Sequence, residues 1–217
     1  MPATGGSMSV PRIRKLSLAL AALLGAAVAL PGPAAAQFSD SFKFLEAVRK
    51  KEGDKATDLL EEKGANLINT RDVTSGDSAL HIVTQRRDLT WMQFLVAKGA
   101  NVNARNVKGE TALVVAANLN YFEGVEFLVG KGAKVDEPNS TGETPLITAV
   151  HNRNAAMVRV LLKAGANPDR TDNSGRSARD YAKLDSKSDT MLKEIEASTK
   201  PKSQLKIGPD VKVFGPK

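Results

Sequence analysis

Side chains suited to catalysis are scarce in this chain. It has two histidines, His81 and His151, and no cysteine. Without thiols there is no disulfide, thiolate metal site, cysteine nucleophile or lipid-modified cysteine, and two histidines make no His-rich metal site. Gly124 to Lys131 has the glycines and lysine of a phosphate-binding loop, but five residues rather than four separate its glycines and the stretch reads as helix. Asp169 to Gly175 has the composition of a calcium loop without its alternating oxygen spacing. Asn139-Ser140-Thr141 is a glycosylation sequon that means little outside a eukaryotic host. A catalytic site needs several titratable groups converging in one pocket. The sequence offers no such set, so the expectation is a non-enzyme with no catalytic residue, no cofactor and no metal.

The elements that hold these side chains repeat. Gly76, Gly109, Gly142 and Gly175 are each 33 residues apart and open Gly-Asp-Ser-Ala-Leu-His, Gly-Glu-Thr-Ala-Leu-Val, Gly-Glu-Thr-Pro-Leu-Ile and Gly-Arg-Ser-Ala-Arg-Asp. A second motif keeps register: Gly64-Ala65-Asn66, Gly99-Ala100-Asn101, Gly132-Ala133-Lys134 and Gly165-Ala166-Asn167, with two extra residues assigned to the loop around Asp72 to Ser75. Ser78, Thr111, Thr144 and Ser177 read as helix N-caps, and Pro145 suits a first helical position. A short helix such as Ala112 to Asn118 is followed by a turn and a second helix such as Phe122 to Lys131, expected to bury Phe122, Val125, Phe127 and Leu128. Gly132 and its counterparts end that helix, and Asn-, Asp- and Gly-rich loops lead onward. The first unit lacks the opening motif but offers Phe44, Leu45, Ala47 and Val48 on one helix and Leu59 and Leu60 on the next.

These units resemble ankyrin repeats, whose pattern runs G-x-T-P-L-H-x-A-A, then L-L-x-x-G-A-N, then V-N-A; Val102-Asn103-Ala104 matches its end. The resemblance implies an all-α solenoid of about five helix-turn-helix units with short β-hairpin-like loops. The units fall at about 39–69, 70–103, 104–136, 137–169 and 170–197 of a domain spanning 37–197. It also implies that His81 hydrogen-bonds neighbouring loops, a role lost where Val114 and Ile147 stand in its place. Arg179, in the position of the family's core leucine, then marks a terminal repeat with a solvent-facing side. Trp91, on a second helix, is expected in the core.

Beyond the repeats lie two other kinds of sequence. Arg12, Arg14 and Lys15 precede the uncharged run Leu16 to Leu30, and Ala34-Ala35-Ala36 follows. This is the pattern of a secretory signal peptide over residues 1–36, cleaved before Gln37; Met8 is an alternative start to Met1. A membrane anchor is the competing reading, but a span needs about 20 apolar residues. Removing the leader takes three positive charges from the chain's +7, so its basicity argues poorly for nucleic-acid binding, and with 5% aromatics no nucleic-acid partner is expected. Residues 198–217 carry Lys200, Lys202, Lys206, Lys212 and Lys217 against Asp210 and read as a basic, disordered tail.

If the chain binds as its resemblance implies, the contacts are positions the scaffold leaves free. In the second unit these are Thr74, Ser75, Asp77, Gln85 and Arg86. The third supplies Arg105, Val107, Lys108, Glu110, Asn118 and Leu119, and the fourth Ser140, Thr141, Glu143, His151 and Asn152. The expectation is a monomeric, periplasmic or secreted module that holds a protein partner in its groove. The alternative is an envelope-associated module held to anionic lipid or polymer by its lysine-rich tail.

Overall fold

The computed structural model describes residues 39–185 and 189–199. The leader expected over 1–36, and the tail beyond Thr199, lie outside the described residues. Within them, α-helices come in pairs: α1 (Asp40–Lys50) with α2 (Gly53–Lys63), then α3 (Ala79–Gln85) with α4 (Leu89–Ala97). They continue as α5 (Ala112–Asn118) with α6 (Phe122–Gly130), α7 (Pro145–His151) with α8 (Ala155–Lys163), and α9 (Ala178–Leu184) with α10 (Asp189–Thr199). First helices stack on first helices in chain order, and α6, α8 and α10 stack likewise. The result is an all-α repeat solenoid, in which each unit buries its faces only against its neighbours.

The first helices are seven residues long from α3 onward; α3, α5 and α7 are almost wholly buried, whereas α9 buries Ala178 and Ala182. Leu80, Leu113 and Leu146 fill the same place in successive layers. Thr111, Thr144 and Ser177 accept hydrogen bonds from the backbone N–H groups of Val114, Ile147 and Asp180, which secures each helix start. The second helices bury one stripe. In α6 this comprises Val125 and Leu128, with Phe122 and Phe127 only partly covered; Lys131 lies 5.8 Å over the Phe127 ring. Leu60 is buried in α2, but Leu59 only in part.

Three seams of polar contacts cross the layers. At the loop tips, backbone N–H groups of Val107, Ser140 and Asn173 donate to the carbonyls of Ser75, Lys108 and Thr141, one unit back. Antiparallel bridges pair Arg71 with Ser78 and Thr171 with Ser177, giving the loops their hairpin character. At the ends of the second helices, side chains of Asn69, Asn103 and Asp136 accept from the N–H groups of Asn101, Lys134 and Asn167. Asp169 is next in that series, and Arg179 donates to both its oxygens at 2.6 and 3.2 Å. Arg179 is therefore largely covered and closes the seam, instead of only marking an exposed side. Its guanidinium holds the Asp169 carboxyl below the ordinary range.

The third seam runs through the turns between paired helices, where Lys51, Arg87, Asn120 and Arg153 all have positive φ, between 52° and 62°. Each reaches the next unit. Lys51 pairs with Asp88 at 3.3 Å and Arg87 donates to the Leu119 carbonyl. Asn120 accepts from Asn154 at 2.7 Å, and Arg153 pairs with Asp185 at 2.7 Å. Left-handed backbone costs a residue with a Cβ about 1–2 kcal/mol, and these contacts offset it.

The two extra residues of the second unit are divided, not both in one loop. One lies in the 3-10 turn Ala65–Asn69, and the other between Asp72 and Gly76, where Val73 stands fully exposed. The N–H groups of Ser75 and Thr74, with Arg49, bring the Asp72 carboxyl down to about 2.

Candidate functional site

The face built by the first helices and loop tips holds most of the candidate residues, but they differ in what is left for a partner. Thr74, Val107, Lys108, Ser140 and Thr141 are exposed at the tips, Val107 by 70%. Ser75 is spent within its loop, where its hydroxyl accepts from the Asp77 N–H.

Behind the tips runs a chain of polar contacts. Asp77 accepts from Gln85 at 3.1 Å and from Asn106 at 3.0 Å. Asn106 also donates to Glu110, whose other oxygen takes Asn118 at 3.2 Å, and Asn118 in turn accepts from Thr148. Glu143 accepts from Asn139, and its other oxygen lies 3.6 Å from His151 Nδ1. The His151 ring packs edge-on to Tyr181 with centroids 4.4 Å apart.

Four candidates serve the scaffold instead. Arg86 donates to the carbonyl of Val48 at the end of α1, pairs with Asp88 at 3.2 Å and lies 5.2 Å over Trp91. Arg105 pairs with Glu137 at 2.6 Å and donates to the Pro138 carbonyl. Asn152 donates to the Ala117 carbonyl, and Leu119 packs against the core. Register places these residues on a face, but reach decides what they touch: a long guanidinium finds the nearest orphan carbonyl of the neighbouring unit. Replacing Arg86 with alanine is expected to lower stability by about 1–3 kcal/mol, since a charged donor to a helix end is lost. Thermal unfolding followed by circular dichroism checks it, and an unchanged midpoint would return Arg86 to the binding face.

Two features escaped the sequence reading. No contact position was carried into the fifth unit, yet Tyr181 and Leu184, the latter 69% exposed, stand beside His151 and line a cleft with it. Trp91 is only partly buried. It meets Phe94 edge-on at 5.6 Å, and the two line a cleft of about 350 Å³ with Lys51, Asp54 and Thr90. A lone tryptophan on a second helix does not reveal which side of the stripe it takes.

His81 sits between loops. The Ser78 N–H donates to its Nδ1, so Nε2 carries the proton and donates to the Glu110 carbonyl at 2.9 Å. Burial holds its pKa below the ordinary histidine value. The Ser78 hydroxyl, 2.8 Å from Nδ1, is buried at the start of α3, so the ring and the hydroxyl form a structural link. Gly124 to Lys131 forms α6 and its C-cap, with the Gly124 backbone against the Tyr121 ring, which leaves no phosphate cradle. The Asp172 carboxyl takes donors from Tyr181, Ser174 and Arg176; against the opposing effect of burial, these hold it at about 2. No group of three metal-ligating side chains is found among the described residues, and no helix there is long and apolar enough to cross a membrane.

A family model described as ankyrin repeats (3 copies) matches residues 44–139, and a second, ankyrin repeats (many copies), matches residues 130–182. The chain belongs to the ankyrin-repeat family. Together the two matches cover well over half of it, from within α1 to within α9. No curated protein matches the chain. Ankyrin repeats are in general protein–protein interaction modules and are typically non-enzymatic. The polar chain from Asp77 to Tyr181 fits that use, because it holds side chains in fixed positions on one face of an ankyrin stack.

Proposed function

We propose that this ankyrin-repeat chain is an exported, monomeric binding module. It grips a protein partner with the face of its first helices and loop tips, as a scaffold, inhibitor or protector of that partner, without turnover. One observation carries the reading. The seams account for nearly every polar group inside the stack, yet Thr74, Val107, Lys108 and Ser140 project at successive loop tips, and no side-chain hydrogen bond or ion pair occupies them among the described residues. A stack already rigid gives affinity at little ordering cost. The export signal expected over residues 1–36 supports a partner outside the cytoplasm.

The test is affinity capture from an envelope extract with the chain from Gln37 onward, comparing the native protein with V107D/K108E. Both substitutions fall on exposed loop residues, so the melting temperature should hold within about 2 °C. A protein retained at high salt by the native chain should be lost at least tenfold by the variant. Equal retention by the two would remove the loop tips from the interface.

A further inference from the structure

The face just described carries a line of charge that the fold leaves uncancelled. Asp77, Glu110 and Glu143 each follow a loop glycine and so recur with the repeat. Each is held by amide donors: Asp77, itself largely covered, by Gln85 and Asn106, Glu110 by Asn106 and Asn118, and Glu143 by Asn139, with His151 Nδ1 3.6 Å away. Among the described residues none of the three pairs with lysine or arginine. Elsewhere cations are well matched, as in Arg49–Asp72, Arg105–Glu137, Arg153–Asp185 and Arg159–Glu194. Amide donors fix a carboxylate in place without cancelling its charge. Stacked helices lie about 8–10 Å apart, so three charges form a stripe about 20 Å long. In the fifth unit Arg176 takes the same register position, and the stripe begins one unit in from that end.

We propose that residues 200–217 of this same chain lie along the Asp77–Glu110–Glu143 stripe and occupy the binding face. Three observations select that occupant. The segment carries five lysines against Asp210, the charge complement of the stripe. The chain also leaves the solenoid at the right edge: α10 stacks beside α8 as α8 stacks beside α6, and both α6 and α8 run directly into a loop that borders this face. Length is sufficient, since at about 3.3 Å per extended residue the segment spans about 60 Å, and the second unit lies three repeats away. Strength decides between a tethered segment and a separate one. Exposed ion pairs each raise occupancy by a factor of only about 1.5–5, too little for a free peptide at micromolar concentration. A segment of the same chain works at an effective concentration near millimolar. The segment thereby covers the face for part of the time and competes with a partner for it. This goes beyond the partner reading, and the two can fail separately, because seating of the segment is observed without any partner.

The absence of cysteine makes the test clean. A nitroxide on V213C in the isotope-labelled chain should broaden the amide signals around Glu110 and Glu143 to about half their intensity or less. Amides of Gln93 and Glu126, on the second helices, should be spared. The broadening should vanish in E110Q/E143Q and at about 0.5 M salt, where charges are screened within a few ångströms. Glutamine keeps the shape and leaves folding intact, which the remaining amide spectrum reports. Broadening that is absent, that centres on the second helices, or that survives E110Q/E143Q overturns the proposal. So does broadening that appears equally when the nitroxide is on a separate, isotope-free copy, which would assign the contact to a second molecule. A label that stays freely mobile in solution and slows only on phosphatidylglycerol vesicles overturns it in favour of the envelope.

Discussion

Alanine at Gly142 is expected to destabilise the protein about three times as much as alanine at Gly175. The two glycines hold the same register position and nearly the same backbone, with φ of 81° and 80°. At Gly175 a Cβ meets nothing within 4 Å, so the cost is the left-handed strain alone, about 1 kcal/mol. At Gly142 a Cβ would stand 2.7 Å from the Asn173 backbone nitrogen and 2.5 Å from its side-chain oxygen. Asn173 must move. Its N–H gives up the Thr141 carbonyl and its side-chain amide gives up the Ser140 carbonyl. Each bond contributes about 1 kcal/mol net, which brings the total to about 3 kcal/mol. In a stack whose stability is a sum of units and interfaces, that loss falls on the contact between the fourth and fifth units. Urea unfolding of G142A should therefore begin with an early, separate loss of α9 and α10, seen as raised amide exchange there, whereas G175A keeps one transition. Equal shifts in the two variants would mean that loop-to-loop contact contributes nothing at this interface.

The contrast between these glycines shows what the sequence could and could not tell. The 33-residue period exposed the units, the caps and the layering of Leu80, Leu113 and Leu146, because each depends on residues close together in the chain. The seams depend on side chains that reach the next unit, and those were largely invisible. Nothing in the repeat pattern marks Lys51, Arg87 and Arg153, yet they occupy left-handed turns and tie adjacent layers. Arg86 and Arg105 sit at positions assigned to a partner, but their length takes them to carbonyls and acids of their own chain. Among the shorter side chains, Thr74 and Ser140 stand exposed at the loop tips, while Ser75 and Asn152 bond within the stack. Arg179 is the clearest case, since the substitution of a core leucine position in the last unit reads as loss, while Asp169 lacks a following unit and needs a donor.

Acidification is expected to weaken the fold through His81, and the direction follows from its hydrogen bonds. The Ser78 N–H points at Nδ1, so a second proton there would set two donors against each other at a helix start. Burial and this geometry keep the folded-state pKa below the unfolded value of 6.5. The neutral ring is thus favoured in the folded state, and its contribution is fully present above 6.5. As pH falls below that value the unfolded chain takes up a proton that the folded chain refuses. Stability should then drop by up to about 1.4 kcal/mol per pH unit until the folded state binds the proton too. Denaturant unfolding at steps between about pH 7.5 and 5.5, above the range where most carboxylates titrate, follows the effect, and a variant that keeps His151 separates it from that second histidine. His81→Val is the matching variant, because Val114 and Ile147 hold the same position in the next two units. It should cost about 1–3 kcal/mol at neutral pH: the Glu110 carbonyl keeps its bond from the Asn106 N–H, but the buried Ser78 N–H loses its acceptor. In acid it should lose less stability than the native chain, so that the two curves converge. Parallel curves would show that His81 is protonated with equal ease folded or unfolded, and that its link between loops carries no charge preference.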